Sequence, residues 1–578
     1  MRCFKQKMEL RKMKLKTNTL LLAALSVAAL CQAATERPNI IIIMTDDSGY
    51  SDLGCYGGEI DTPNLDRMAA NGLRFRNFYN NGRCSPTRAS LLTGRDSAHA
   101  GFGAGTLGGW NREMKEPAYR ARLPYDLPTI AELMKVSGYR TMMTGKWHLG
   151  GSQMEGSEGW QNWWKKQHPG WELTEAEIEA DFNALPPQRG FDEFFGLIEG
   201  ETHLFFTPSD KHEYFEGNEH ATLKYEQTYN MHCYYKHEDR YPYTPNHGQT
   251  AKAFYGTDGM TDRAIEMIED ASAAPEPFFL YMAYRAPHLP IQAPQELVDK
   301  YLSRYANLDQ VEADRVDGLV RAGLWEKGTP YRKSFTAGRN MSEEQKKDYQ
   351  LMAAIHAAMM EKVDENVGKV LNTLEQTGEL DNTLVVYLSD NGSASHLGDL
   401  MNTPYYGCKS LMWQGGTKTH CIMQWPKVVQ PGTITDSIGW VGDFLPTCLD
   451  ITGDTYPVEF RGTRTVPLDG RSLLPILQGK EMAPPEYLFS NDKGQQAVIY
   501  KGRWKLMIEP GWYFRNSKQP GIAYELYDLQ NDPAEKTDVS KQNPEMVEQL
   551  AKACEAWQAQ NGIVDYADIL KIRPDHMQ

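Results

Sequence analysis

The sequence predicts an α/β protein: a large, mostly parallel sheet sandwiched by helices, followed by a smaller C-terminal α+β domain containing an antiparallel sheet. Three observations carry this. Residues 38–44 (PNIIIIM), 277–284 (PFFLYMAY) and 382–388 (NTLVVYL) are continuous apolar, partly β-branched runs, the pattern of strands buried on both faces of a parallel sheet. Amphipathic helical patterns at 259–271 and 342–376 supply the covering layers. After Pro484-Pro485 the rhythm changes to short strands at 496–500 and 504–508 and a last helix near 544–560, which reads as a separate small unit.

Length and charge bound the rest. The chain has 578 residues and a net charge of -15, which argues against nucleic acid as a partner without forbidding an anionic substrate in a locally cationic pocket. The N-terminus combines a basic stretch (Arg2, Lys5, Lys7, Arg11, Lys12, Lys14, Lys16), an apolar run over 20–30 and a small-x-small ending at Cys31-Gln32-Ala33. Residues 1–33 are therefore expected to be a signal peptide and the protein to be exported, with the periplasm as its compartment. Cys31 raises the lipoprotein alternative, against which Leu30 is large for a lipobox; secretion is the other alternative. No other segment is apolar for long enough to span a membrane. The expected domains are 34–483, with a loop-rich insertion near 151–255, and 484–578. Of nine cysteines, Cys55, Cys233, Cys408, Cys421, Cys448 and Cys554 are spread too thinly for a disulfide framework, with one or two bridges left open.

Taken in order, each predicted strand delivers polar residues at its C-terminal end, where open α/β sheets place their ligands. The first ends in Asp46-Asp47-Ser48-Gly49. A short helix (64–71) and a strand (73–79) lead to the turn formers Asn80-Asn81-Gly82-Arg83 and then to CSPTRASLLTGR at 84–95. Pro86 suits the first turn of a helix and Gly94 its end. Cys84 then sits at a helix N-terminus, where free N–H groups favour an anion, and Arg88 lies one turn on, on the same face. A helix at 128–137 and a strand at 139–144 deliver Gly145-Lys146-Trp147-His148-Leu149-Gly150; alternation along an extended segment would put Lys146 and His148 on one face. The insertion is dense in Trp160, Trp163, Trp164, Trp171, His203, His212, His220, His232 and His237, a composition that could form a sugar-binding wall. The strand at 277–284 leads to Arg285-Ala286-Pro287-His288-Leu289-Pro290, which holds His288 between two prolines. Ser342 and Gln345 have capping-box spacing. Asp390-Asn391 then adds a third acidic edge beside Asp46 and Asp47. Asp46, Asp47, Asp390 and Asn391 offer only hard oxygen ligands, which suits Ca²⁺ first, Mg²⁺ second, and not zinc.

These motifs, in this order, resemble the formylglycine-dependent sulfatase family, in the alkaline-phosphatase-like fold group, and within it the bacterial aryl and carbohydrate sulfatases. The resemblance rests on C-x-P-x-R with Thr93-Gly94-Arg95, Asp46-Asp47-Ser48-Gly49, Thr62-Pro63-Asn64-Leu65-Asp66, Gly145 to Gly150, Arg189-Gly190-Phe191-Asp192, Ala286 to Pro290, Ser389 to Gly392, and Lys409 to Gly416. Two positions depart from it: Cys408 stands where the family has Gly, and Gln414 where it has Glu. The resemblance implies that a maturation enzyme oxidises Cys84 to formylglycine, whose hydrate is the nucleophile. It implies that Asp46, Asp47, Asp390, Asn391 and residue 84 hold Ca²⁺. Arg88, Lys146, His148, His288 and Lys409 are then catalytic, and Lys146, His288 and Lys409 contact substrate. The implied activity is hydrolysis of sulfate monoesters, with a sulfated glycan (a sulfated galactose or N-acetylhexosamine) as substrate. The alternatives are a small aryl sulfate, a phosphate or phosphonate monoester on the same scaffold, and a non-enzymatic exported glycan-binding protein.

Overall fold

The computed structural model describes residues 37–103, 116–151, 175–198, 203–212, 214–234, 247–334, 336, 341–492, 495–508 and 523–564. The expected signal peptide, with Cys3 and Cys31, lies outside them, as do Trp160, Trp163, Trp164, Trp171 and His237.

The main strands are β1 (Asn39–Thr45), β2 (Leu73–Tyr79), β3 (Arg140–Lys146), β4 (Glu193–Leu197), β5 (Phe278–Ala283), β6 (Thr383–Ser389), β7 (Cys421–Gln424) and β8 (Thr433–Trp440). They belong to an 11-stranded sheet whose centre runs β6-β1-β5-β3-β4, all in parallel. β7 pairs antiparallel with both β6 and β2, and β8 returns parallel to β2. Every residue of β1 is buried. Its alternate residues serve two separate cores, Ile41 and Ile43 on one face and Ile40, Ile42 and Met44 on the other. That two-sided burial is why the strand reads as an unbroken apolar run.

One core lies under helix α2 (Gly256–Ser272) and the long helix α3 (Glu343–Thr377). α3 begins with the expected capping box: Gln345 N–H donates to Ser342 Oγ at 3.2 Å and Ser342 N–H to Gln345 Oε1 at 2.9 Å. The other core receives Ala89, Leu91 and Leu92 of α1 (Cys84–Thr93).

The C-terminal sheet has four antiparallel strands in sequential order, Tyr487–Asp492, Gln495–Tyr500, Trp504–Ile508 and Tyr524–Asp528. Ala497, Ile499, Met507 and Tyr527 from one face join the second core. Val498, Leu506 and Leu526 from the other pack on Leu550 and Cys554 of α4 (Pro544–Asn561). None of the seven cysteines among the described residues is in a disulfide. No described helix is long and apolar enough to cross a membrane.

Candidate active site

The N-terminus of α1 is held by the turn before it. Asn81 donates through Nδ2 to Pro86 O (3.0 Å) and Ser90 Oγ (2.7 Å), and accepts Trp440 Nε1–H at 3.0 Å. Arg83 caps the helix in an extended conformation, and all ten helix residues are buried, Cys84 included. Gly94 closes it with φ 64°, as the sequence predicts.

Parallel pairing of β1 with β6 brings Thr45 opposite Ser389. The residues that follow, Asp46-Asp47 and Asp390-Asn391, therefore leave adjacent strand ends together. Asp47 takes the left-handed conformation, φ 72°; its amide donates to Asp390 Oδ1 at 3.3 Å. Ligand atoms of Asp46, Cys84 and Asp390 lie within 4.8 Å of one another, as do those of Asp46, Asp47 and His288.

Three cations answer the three carboxylates, Arg88 and Lys146 fully buried and Lys409 partly so. Arg88 donates to Asp390 Oδ2 through Nε (3.1 Å) and Nη2 (2.8 Å), and through Nη1 to Lys146 O (2.9 Å). Lys146 pairs with Asp46, and Lys409 Nζ lies 2.7 Å from Asp47 Oδ1. The balance is uneven. Burial pushes the Asp46 carboxyl up, but Lys146, His288, Lys409 and Arg88 together hold it well below the usual carboxylate range. Burial, reinforced by the negative charge of Asp46, pushes Asp390 up to about 7 against Arg88 and Lys146. Asp47 is raised by burial, with Lys409 opposing and Asp46 adding to the rise.

Two buried oxygens in this cluster, Asp46 Oδ1 and Asn391 Oδ1, have no hydrogen-bond partner. Asn391 Nδ2 is spent on Asp47 Oδ1 (2.7 Å) and Gly392 O (2.8 Å). Its carbonyl is thus left facing a site of hard acceptors. Orphaned oxygens of this kind are costly in isolation and fit a hard divalent cation.

The two histidines are placed differently. His288 Nδ1 lies 2.7 Å from Leu289 O, which puts the Nδ1 proton on that bond and leaves Nε2, 3.7 Å from Asp47 Oδ2, for the site. His148 does not extend the strand as the alternation predicts. β3 ends at Lys146 and His148 is left-handed, φ 59°; the amides of Trp147 and His148 donate to Leu197 O (2.8 Å), the last residue of β4, and to Ile198 O (2.9 Å) just past it. The ring nonetheless feels Lys146 and Arg88. Burial, then those two charges, hold its pKa well below the usual value, so His148 is neutral. Burial and Lys409 lower His288 likewise, with Asp46 opposing.

All ten residues singled out in the sequence are buried or nearly so, and they converge on the C-terminal edge of the parallel strands. Others that shape the site carried no signal. Arg83, next to Cys84, is gripped by both oxygens of Asp492 (3.2 and 3.3 Å) from the C-terminal sheet. Asn402 Oδ1 accepts the amides of Tyr50 (3.2 Å) and Ser393 (3.1 Å), and its Nδ2 donates to Gly407 O (2.9 Å). It thereby ties together the loops bearing Asp47, Asp390 and Lys409. The Gln414 departure also has a partner set: Nε2 donates to Pro533 O (2.9 Å), Oε1 accepts Tyr79 O–H (2.9 Å), and its amide donates to Glu535 Oε2 (2.7 Å). A glutamate there would lack the first of these donors and set a carboxylate oxygen against Pro533 O.

The chain matches the Sulfatase family over residues 38–454 and the family described as N-sulphoglucosamine sulphohydrolase, C-terminal, over 405–560. An arylsulfatase of Klebsiella aerogenes is 28% identical over 486 residues, covering 78% of this chain and 94% of that one. An N-acetylglucosamine-6-O-sulfatase of Bacteroides thetaiotaomicron is 27% identical over 584 residues, covering 93% and 91%. Among solved structures, Ps i-CgsB in complex with k-i-k-neocarrahexaose has the same fold, with a TM-score of 0.61 and 24% identity over 91% of this chain and 93% of that one.

Proposed function

The chain belongs to the sulfatase family and is a sulfuric ester hydrolase, and from that premise we propose that it cleaves sulfate monoesters of glycans with a formylglycine formed at position 84. The observation that carries this reading is the convergence of Asp46, Cys84 and Asp390 within 4.8 Å beside Arg88. It puts the one oxidisable residue among hard metal ligands and cations, at a helix N-terminus. In the unmodified chain Cys84 Sγ stands where an oxygen of the hydrated aldehyde would be.

The residues present suit Ca²⁺, with Mg²⁺ second: Asp46, Asp47, Asp390, Asn391 and residue 84 would hold it, and the ion would act as a Lewis acid on the sulfate. Lys146 and Lys409 neutralise the carboxylates and reach the sulfate oxygens; Arg88 fixes Asp390. With residue 84 as the hydrated aldehyde, Asp390 would take the proton of the hydroxyl that attacks sulfur, and the ester oxygen would leave. Once sulfate is bound, His288 takes up a proton from solvent at Nε2 and, beside Lys409, passes it to that leaving alcohol. The negative sulfate entering the site counters the lysine charge that otherwise holds the ring neutral. The alcohol departs, and the sulfate is now esterified to residue 84. His148, neutral, takes the proton of the second hydroxyl. Loss of that proton would let the C–O bond to sulfate break, releasing inorganic sulfate and restoring the aldehyde for water to add.

Sulfated galactose or N-acetylhexosamine is the substrate class that the described relatives favour: one acts on N-acetylglucosamine-6-O-sulfate, as its name states, and a structural neighbour holds a neocarrahexaose. Small aryl sulfates are the second reading, which the Klebsiella arylsulfatase supports. The leader-like N-terminus fits export to the periplasm, and the motif at Cys84 fits a formylglycine-generating maturation enzyme as a partner.

The test is a mass spectrum of the peptide carrying residue 84 after coexpression with a maturase, paired with competing aryl sulfate and aryl phosphate assays. An aldehyde reactive toward hydrazides and a clear preference for sulfate are expected. Full activity with a thiol in every molecule refutes the nucleophile, and preference for phosphate refutes the ester class.

A further inference from the structure

A second cavity lies away from the sulfate site. It opens between the C-terminal end of α1, the end of β8 and the C-terminal sheet with α4, and has a volume of about 380 Å³. None of the residues assigned to catalysis or metal lines it. α1 separates the two sites: Cys84 begins the helix and Thr93 ends it, roughly 14 Å away at 1.5 Å per residue, and Asp96 follows that end. The volume is at the lower end of the range of small-molecule sites, about 300–1,000 Å³.

Its lining is aromatic and rich in acceptors. Tyr487, Phe489 and Trp557 form a continuous stack, with ring centroids 5.7 and 4.9 Å apart and interplanar angles of 20° and 6°. Trp440 adds a further ring to the lining. Asn561 also lines the cavity. It is 7% exposed, its Nδ2 donates to Trp557 O at 2.7 Å, and its carbonyl Oδ1 is buried with no partner. A buried carbonyl oxygen without a donor calls for a ligand O–H or N–H.

Charge sets what that ligand is. Asp96, Asp443 and Asp469 all border the cavity, which opposes an anion. The bordering basic groups are engaged: Arg471 donates to Ala483 O at 2.7 Å, and His99 Nδ1 lies 3.3 Å from Asp469 Oδ2. The carboxylates are largely spent as well. Asp443 accepts the amides of Trp440 (2.9 Å) and Arg471 (2.7 Å); Asp469 pairs with Arg95 at 2.9 Å; Asp96 accepts from Trp557 Nε1 at 3.2 Å and the Ala98 amide at 2.9 Å. A free ammonium would find few unshared acceptors. A neutral ring with one apolar face and several hydroxyls meets both features, stacking on the aromatics and donating to Asn561. We infer that this cavity is a second glycan site, one that takes a neutral, unsulfated sugar unit and discriminates against sulfate. It would hold an unsulfated part of a glycan independently of which ester is hydrolysed at residue 84.

The experiment uses the full-length Cys84→Ala protein, in excess inorganic sulfate, so that binding at the catalytic site is suppressed. Methyl β-galactoside, methyl β-N-acetylglucosaminide, their 6-sulfates and methylammonium are compared by saturation-transfer NMR and calorimetry. At least one neutral glycoside should bind, and its 6-sulfate at least about tenfold more weakly. Tyr487→Ala and Asn561→Ala should each weaken binding about tenfold, the scale of one lost contact, while in the matured enzyme they leave aryl sulfate turnover and Tm unchanged. If either variant unfolds, a crystal of the wild-type protein soaked in methyl β-galactoside decides, with sugar density expected against Tyr487. Binding of neither neutral glycoside, equal binding of the sulfated forms, binding of methylammonium alone, or density confined to the residue-84 site overturns the inference. All these readouts are independent of sulfatase turnover, so their failure leaves the catalytic reading standing.

Discussion

Arg88 and Asp390 form a buried ion pair in which Nε and Nη2 both donate to one carboxylate oxygen, at 3.1 and 2.8 Å. The pair joins the helix that carries Cys84 to the strand end that carries Asp390. Through Nη1 the same guanidinium holds Lys146 O at 2.9 Å, so one side chain registers three of the elements that build the site. Both partners are fully buried, and removing one leaves an uncompensated charge in the interior. Arg88→Ala should therefore cost about 3–5 kcal/mol of stability in metal-free protein, read by urea denaturation; a cost under about 1 kcal/mol would mean the pair is not a structural link.

The orphaned oxygens Asp46 Oδ1 and Asn391 Oδ1 predict a stability response to metal. Adding Ca²⁺ to chelated protein should raise Tm, by an amount equivalent to about 2.7 kcal/mol when the ion is about 100 times its Kd. Asp46→Asn and Asp390→Asn should abolish that rise along with activity. Recovery of activity with Zn²⁺ and not Ca²⁺ would contradict the hard-ligand assignment.

His288 and His148 should separate by leaving group. Loss of His288 should slow a sugar sulfate by about 10²–10⁴ and spare a nitrophenyl sulfate, whose phenolate departs without a proton. Loss of His148 should slow every substrate toward one low kcat and let the sulfated enzyme accumulate. The same leaving-group dependence in both alanine variants, with no adduct trapped in either, would refute the division of roles.

Away from the site, Lys418 is buried with Nζ 2.8 Å from Asn77 Oδ1 and 2.7 Å from Tyr405 Oη. Burial, with Arg76 adding to it, lowers its pKa to about 7. A lysine pKa depressed by folding gives stability that is present above the unfolded value and is lost as pH falls toward 7. Wild-type protein should thus gain stability relative to Lys418→Met between pH 7 and pH 9, by up to about 1.4 kcal/mol per pH unit. Denaturation curves for the two proteins that stay parallel across this range would show that the lysine does not titrate there.

The strands at 38–44, 277–284 and 382–388 were legible because burial on both sheet faces forces an unbroken apolar run, and their ends pointed to the acidic edge. Chain order and local chemistry also placed Cys84 and Arg88 on one helix face. Element types and family could be read from the chain alone, because both rest on local pattern and motif order. How these meet depends on contacts made in three dimensions. The His148 ring reaches the site through a left-handed turn, not through strand alternation, because backbone pairing at the end of β4 overrides the local period. The cations are matched to particular carboxylates by the β1–β6 register. Arg83 meets Asp492 across 409 positions of sequence, and Asn402 binds three loops from a stretch with no motif. Such partners are invisible in a single sequence, since a hydrogen bond depends on distance in space and leaves no periodicity along the chain.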